Sequence, residues 1–356
     1  MNEHELAILR QFCLDAEPAS CTPYGCGHIN RTYLVATAGG RCYILQKINH
    51  HTFRDVAGLM ENIELVTEHL RRKSPDPRSV LTLIRTKDGK SYLEADDGYW
   101  RVFRFVEDSI CLQQPESDAD FYESAVGFGT FQQLLSDFPA EKLHETIPNF
   151  HNTPDRYRAL LETLTRDPMH RAAQVQPEIE FALARQAEMS AIQNALTAGE
   201  LPLRVTHNDT KLNNVLFDAK TRRALCIIDL DTVMPGSALY DYGDSIRFGA
   251  NHCAEDEADL SKVNFSMELF EIYTKGFLQA AGEAFTTLEK QTLPWGAKLM
   301  TMECGMRFLA DYLEGDHYFH INYEQQNLNR ARTQFKLTAD MEENWDAMQK
   351  IIEKYC

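Results

Sequence analysis

No stretch of these 356 residues approaches the uninterrupted apolar length of a bilayer-crossing helix, so no membrane span is expected. Positive charge is also scarce: 36 Lys and Arg stand against 53 Asp and Glu, a formal charge of −17. A surface that acidic repels the phosphates of nucleic acids and anionic headgroups. That argues against nucleic-acid and membrane partners, although a locally basic nucleotide site stays compatible with it. The nine cysteines are odd in number and form no Cys-x-x-Cys pair, which reads as reduced thiols in a cytoplasmic protein. Residues 1–14 mix Glu3, His4, Glu5 and Arg10 with Leu6, Ile8, Leu9 and Phe12, an amphipathic helix without the apolar core of a leader. Repeats, low-complexity tracts and long linkers are missing. What remains is an ordinary globular composition, 44% hydrophobic and 25% charged, on a chain long enough for two lobes.

The pattern divides near residue 107. Thr32–Thr37, a Gly39-Gly40 turn and Cys42–Ile48 read as a hairpin. Val56, Leu59, Met60, Ile63, Val66 and Leu70 recur at helical spacing until Pro75 and Pro77. Strands are expected at Val80–Arg85, Ser91–Ala95 and Tyr99–Val106, with Asp88-Gly89 and Asp97-Gly98 as turns. A five-stranded sheet with one helix therefore makes a lobe of residues 1–107. Residues 108–356 read as mostly helical: 117–138 capped by Ser117 or Asp118, a helix N-capped at Thr153 ahead of Pro154, and helices over 179–196, 265–281, 293–313 and 325–354. They are interrupted by a β island at 203–205, 215–217 and 224–228. The fold class is α+β, two-lobed.

The chemistry concentrates in that island, in Thr206-His207-Asn208-Asp209-Thr210-Lys211-Leu212-Asn213-Asn214 and Ile227-Ile228-Asp229-Leu230-Asp231. His-x-Asp alone would suit an Asx-type turn between strands. Lys211 two residues after Asp209 and Asn214 five after it reproduce the spacing of a kinase catalytic loop. Phosphoryl transfer from a nucleotide needs a carboxylate to orient the attacking hydroxyl, an ammonium near the moving phosphate and oxygen ligands for Mg²⁺. Asp209 and Lys211 fill the first two roles. Asn214 and Asp229 supply metal oxygens, and Asp231 is either a third ligand or a residue that orients the loop. His207 is expected to brace the loop through backbone or the Asp229 region. ATP and Mg²⁺ are the implied cofactors.

Around Tyr24-Gly25-Cys26-Gly27-His28-Ile29-Asn30, Gly25 and Gly27 would let backbone approach nucleotide phosphates, with Asn30 standing where a third glycine is expected. Lys47, one strand on, is a candidate to hold those phosphates with Glu61 or Glu64 as partner, although Gln46 and Lys47 point to opposite faces and periodicity does not rank them. Phe105-Val106-Glu107 is the expected hinge, where backbone at Phe105 and Glu107 would meet adenine. Asp241 or Asp244 suits a helix cap. Arg307, among Met, Phe and Leu on a helix, either pairs with Asp311 or Glu303 or reaches into the cleft.

With these residues the chain resembles the aminoglycoside phosphotransferase and choline kinase superfamily, which has a protein-kinase-like fold. Within it, the segments Tyr24–Leu34, Leu203–Asn214, Ile227–Gly236, Asp244–Ala250 and Thr301–Asp316 with Tyr318-Phe319 are most similar to the N-acetylhexosamine 1-kinases. The resemblance implies transfer from Mg·ATP to the anomeric hydroxyl of GlcNAc or GalNAc. It makes Asp209 catalytic and Asp229 the main metal ligand, with Asn214 second. It lines the sugar pocket with His28, Phe248 and Arg307, and Asp244, which opens one of the similar segments, is grouped with them. An acceptor such as choline or an aminoglycoside is the alternative within the same chemistry.

Overall fold

The N-terminal sheet grows outward from its central hairpin. In the computed structural model, which describes residues 3–25 and 29–356, helix α1 (Glu3–Leu9) precedes strand β1 (Pro18–Pro23). β1 pairs with β2 (Arg31–Thr37), β2 with β3 (Cys42–Ile48), and β3 with β6 (Gly98–Arg104), all antiparallel; β4 (Leu83–Ile84) and β5 (Leu93–Ala95) both flank β6. The sheet has six strands rather than the expected five. β1 escaped notice because Pro18 and Pro23 bracket it, and proline is tolerated on an edge strand where the missing N–H faces no neighbour. The two strands expected at 80–85 and 91–95 shrink to two and three residues. Between β3 and β4, α2 (Val56–Lys73) starts where the Asp55 carboxylate accepts the Gly58 N–H at 2.9 Å and ends before Pro75, with Arg71, Arg72 and Lys73 complementing its carbonyl end.

Register decides what the sheet offers to the cleft. Gln46 on β3 stands opposite Thr32 on one side and Arg101 on the other, while Lys47 stands opposite Trp100. Tyr43, Leu45, Trp100 and Val102 form one core with Ile8, Leu9 and Phe12. The other face packs on α2, and its core runs on without a break into Phe131, Leu135, Val205 and Val233 of the helical part.

The chain leaves the sheet after Arg104, and β7 (Ser109–Cys111) already belongs to the second part, pairing with β9 (Val215–Asp218) beside β10 (Ala224–Ile227). β8 (Arg204–Thr206) pairs instead with β11 (Met234–Gly236), so the expected island is two small sheets, with residues 207–214 running from one to the other. Around them lie α3 (Asp118–Leu134), α4 (Thr153–Arg166), α5 (Gln176–Leu183), α6 (Ala191–Thr197), α7 (Ala238–Gly249), α8 (Met267–Ala281), α9 (Thr287–Glu314), α10 (Gln326–Glu343) and α11 (Trp345–Tyr355). Several boundaries differ from the periodicity. Asn152, not Thr153, caps α4, accepting the Asp155 N–H at 3.1 Å. The span 179–196 is broken into α5 and α6 by a 3₁₀ turn, and Asn344 divides 325–354 into α10 and α11. α9 starts six residues early and runs through Pro294, because Thr286 and Glu289 form a capping box ahead of it.

α9 is the spine, about 42 Å long at 1.5 Å per residue. It crosses α7 at glycines: a Cβ at Gly243 would strike the Gly296 carbonyl, and one at Gly296 would lie 2.5 Å from the Leu239 carbonyl. This close approach sets Asp244 and Arg247 on α7 beside the α9 face that carries Glu303 and Arg307. Among the described residues no helix is long and apolar enough to cross a membrane.

Candidate active site

The turn between β8 and β9 is held in an unfavourable shape. Asn208 has φ +66°, a left-handed conformation that costs most residues about 1–2 kcal/mol and suits Asn better than bulkier types. Asp241 on α7 compensates: its buried carboxylate accepts the His207 N–H at 2.9 Å and the Asn208 N–H at 2.8 Å, and takes a third hydrogen bond from Gln132 at 2.7 Å. Burial raises the Asp241 carboxyl, against the pull of His207 and those donors. The Asn208 amide donates to the Thr232 carbonyl at 2.8 Å, and the Thr232 hydroxyl donates to the His207 carbonyl at 2.6 Å. His207 Nε2 donates to the Ile228 carbonyl at 2.8 Å, bracing the loop against the strand that leads to Asp229.

Asp209 projects from this framework. Its Oδ1 lies 2.9 Å from Lys211 Nζ, and its Oδ2 accepts from Asn214 Nδ2 at 3.0 Å. The charge of Asp209 raises the Lys211 ammonium against the cost of burial, so Lys211 stays a cation. Asn214 also donates to the Asp209 carbonyl at 2.8 Å, which commits its Nδ2 and leaves the amide oxygen as the atom for a cation. Asp229 follows β10 at φ +58° and opens onto the cleft. Crowding by protein, then the charges of Asp231 and Asp209, push its carboxyl up to about 6, while Arg101 and His207 pull it down. A carboxylate destabilised by its own neighbours is one that a divalent cation would relieve. The described residues hold no cluster of three or more His, Cys, Asp or Glu suited to a metal. Asp229 and the Asn214 amide fit Mg²⁺, a hard ion that keeps several waters and takes few protein oxygens.

Asp231 is engaged elsewhere. Its Oδ1 lies 2.5 Å from Arg101 Nη1, both side chains almost wholly buried, and its Oδ2 accepts from Asn30 Nδ2 at 2.6 Å. Asp231 thus ties the catalytic half to the sheet in two places. The position where a third glycine was expected carries the asparagine that makes one of these ties. Arg101 also donates to Gln46 Oε1 at 2.9 Å. Arg101 was not singled out by motif: it shares the apolar run Tyr99–Val106 with Arg104, and the fold buries Arg101 while leaving Arg104 exposed.

Lys47 is not brought to this cluster. It sits on the opposite face, 2.5 Å from Asp97 and over the Trp100 ring. Glu61 and Glu64 are likewise engaged, with His144 and Arg85. Gly25 is left-handed at φ +81°, and Tyr24 beside it meets the Phe105 ring at 6.1 Å, so the glycine turn and the hinge adjoin. At the hinge the Phe105 N–H is taken by the Cys42 carbonyl and Glu107 is exposed. Gly27 and His28 lie outside the described residues.

Beyond Asp209 lies a cavity of about 700 Å³ between the end of α7 and the segments 114–118 and 251–255. Thr210, the residue after Asp209, lines it together with Arg247, Phe248 and Glu255. Asp244 is closed off from it by pairing: its Oδ1 takes both Arg247 Nε at 3.0 Å and Nη2 at 2.9 Å, and its Oδ2 accepts the Thr210 N–H at 2.9 Å. Asp244 therefore sets the loop, in addition to any contact with a ligand. Arg307 adopts neither expected ion pair. Glu303 lies 2.9 Å from His151, and Asp311 accepts the N–H groups of His317, Tyr318 and Phe319. The Arg307 guanidinium stands instead among the rings of Phe150, Tyr318 and Phe319, 5.5–5.7 Å from each, with no carboxylate paired to it among the described residues. Tyr318, 68% exposed, forms its outer wall.

A six-stranded sheet bridged by a buried ion pair to a helical part, with Asp209, Lys211, Asn214 and Asp229 on one loop and its neighbouring strand, defines a phosphotransferase of the protein-kinase-like class. Comparison with known proteins gives the family. Residues 20–272 match the model of the phosphotransferase enzyme family, APH, and the chain belongs to it. Solved structures agree in fold. A microcompartment-associated aminopropanol kinase is 17% identical, with TM-score 0.66 over 97% of this chain and 98% of its own. Choline kinase from Cryptosporidium parvum Iowa II is 12% identical, with TM-score 0.58 over 98% and 97%. An amicoumacin kinase, in complex with AMP-PNP, Ca²⁺ and Ami, is 12% identical, with TM-score 0.56 over 99% and 94%.

Proposed function

We propose that this chain is an ATP- and Mg²⁺-dependent kinase of small-molecule hydroxyls whose acceptor is the anomeric hydroxyl of an N-acetylhexosamine, GlcNAc or GalNAc. The kinase chemistry is supported by family membership, by the Asp209–Lys211–Asn214 geometry and by a structural relative that holds a nucleotide analogue with a divalent ion. Asp209 accepts a hydrogen bond from the attacking hydroxyl and takes its proton late, as the bond to phosphorus forms. Lys211 and the donors around Asp209 keep that carboxylate aimed. Mg²⁺ held by Asp229 and Asn214 would neutralise charge on the phosphates. On the nucleotide side the proposal places Gly25, Gly27 and the hinge at Phe105–Glu107, and it assigns the polar cleft face to Gln46 and Arg101 rather than Lys47.

One observation carries the choice of acceptor. The acids on α7, on α9 and in the segment 251–255 nearest the site are spent internally: Asp244 on Arg247, Glu255 on Arg247 and Arg330, Glu303 on His151, Asp311 on backbone; Asp118, exposed at the cavity rim, is the exception. A half-buried guanidinium, Arg307, has no carboxylate paired to it among the described residues. A cationic acceptor such as choline needs free carboxylates or an aromatic cage without a resident cation. A neutral sugar needs donors and flat apolar walls, which Arg307, Phe150, Phe248 and Tyr318 supply. The proposed sugar site therefore comprises Arg307 and Phe248 with His28, and Asp244 as the residue that sets the loop beside it. A panel of N-acetylhexosamines, choline, ethanolamine and aminoglycosides, read by ADP release with ATP and Mg²⁺, tests this. Turnover with N-acetylhexosamines to a product that frees phosphate in mild acid is expected. Turnover confined to amino alcohols would overturn the acceptor while leaving the kinase chemistry intact.

A further inference from the structure

Both ring nitrogens of His151 face acceptors. Nδ1 lies 2.9 Å from Glu303 Oε1 and Nε2 lies 3.1 Å from the carbonyl oxygen of Asn208. A backbone carbonyl can only accept. The other Glu303 oxygen accepts the Thr153 hydroxyl at 2.8 Å, and an ionised carboxylate can only accept at either oxygen. A neutral imidazole owns one N–H and would leave a nitrogen lone pair against an oxygen lone pair, in a place where the His151 and Glu303 side chains are 5% and 1% exposed. Burial alone would raise the Glu303 carboxyl, yet the hydrogen bond and charge of His151, with Arg307 and Thr153, hold it below its ordinary range. The charged and titratable groups that face this pair are Arg307 on α9, Asp244 and Tyr240 on α7, and Arg156 on α4.

We infer that His151 is held as an imidazolium that pins the left-handed peptide at Asn208 and so aims Asp209, making it a positioning residue for the phosphoryl transfer. With it, three polar groups of Asn208 are fixed: N–H by Asp241, side-chain NH₂ by Thr232 and carbonyl by His151. Glu303 belongs to the same helix as Arg307, so the pair joins the acceptor wall to the catalytic loop. The functional half of this inference rests on the role proposed for Asp209; the protonation half does not.

The test has two arms. Ring ¹H–¹⁵N resonances of the full-length protein at pH 7.5, with no acceptor present and assigned by loss in His151→Gln, should show both His151 nitrogens carrying protons. Glu303→Gln should convert the ring to a neutral tautomer. A neutral-tautomer pattern for His151 in the unmodified protein overturns the inference, whatever the acceptor proves to be. In the activity arm, His151→Ala should lower kcat roughly 10–10²-fold with the KM for ATP and acceptor within about twofold, as expected when aim rather than binding is lost. His151→Gln, which keeps a donor toward Asn208, should recover part of kcat. Undiminished kcat in a folded His151→Ala or Glu303→Gln protein, or no recovery by Gln, overturns the positioning role. If His151→Ala fails to fold, Glu303→Gln carries that arm.

Discussion

The surroundings of Asp209 and those of Arg307 are built on opposite plans. Asp209 is enclosed by residues 206–247, close in sequence, and nearly every polar atom there has a partner within 3.0 Å. Arg307 is walled by Phe150 before α4, by its own helix and by Tyr318 and Phe319 beyond α9, and its charge meets ring faces, a 3.5 Å approach to the Tyr318 hydroxyl and the longer-range field of Glu303, with no carboxylate paired to it among the described residues. The first plan preorganises a reaction, since donors already in place need not reorganise when charge moves. The second leaves a cation partly desolvated and unpaired, an arrangement that gains when a ligand brings acceptors.

The contrast is sharpest in a loss of turnover. Asp209→Ala should lower kcat by about 10²–10⁴-fold while Mg·ATP still binds, as read by isothermal titration beside steady-state kinetics. A near-normal kcat would remove Asp209 from the chemistry. The junction between sheet and loop comes next. Arg101→Ala leaves Asp231 buried and unpaired, and should cost about 3–5 kcal/mol in chemical denaturation. Lys47→Ala, on the outer face of the same sheet, should cost no more than about 1 kcal/mol, because its partner Asp97 remains solvated. Equal losses would mean that the buried bridge carries no special weight.

On the acceptor side, Arg307→Ala should raise the acceptor KM roughly tenfold or more and leave the KM for ATP nearly unchanged, the scale of one lost charge-assisted hydrogen bond. The reverse pattern would move Arg307 out of the acceptor site. The smallest expected effect concerns Asp229. Its folded carboxyl sits near 6 against an ordinary 3.8, so the fold binds this proton more tightly than the unfolded chain. Stability from this group is therefore present below about pH 4 and is lost as pH rises to about 6. Mg²⁺ should raise the melting temperature at pH 7.5 and do little at pH 5, and Asp229→Asn should abolish the difference.

How much of this was legible follows from distance along the chain. Asp209, Lys211, Asn214 and Asp229 lie within about twenty residues, so spacing alone groups them. The hairpin and α2 were legible for a similar reason, since periods of 2 and 3.6 are local signals. Strand β1 was hidden by its prolines, and the break between α5 and α6 by apolar residues that keep helical spacing across it. Arg101 with Asp231, Asn30 with Asp231, and His151 with Glu303 join residues 130, 201 and 152 positions apart. No local pattern announces such pairs. The clearest clue was a charged residue in an apolar run, and it names neither the partner nor which of Arg101 and Arg104 is buried.

The order of residues was thus sufficient for the reaction type, because a catalytic loop is a short stretch whose backbone brings its own side chains together. Packing alone settled which face of β3 meets the cleft, that Asp231 serves as a bridge, and that no carboxylate among the described residues pairs with Arg307. Each of those outcomes depends on strand register and on the glycine crossing of α7 and α9, where a single residue's shift would exchange one set of neighbours for another.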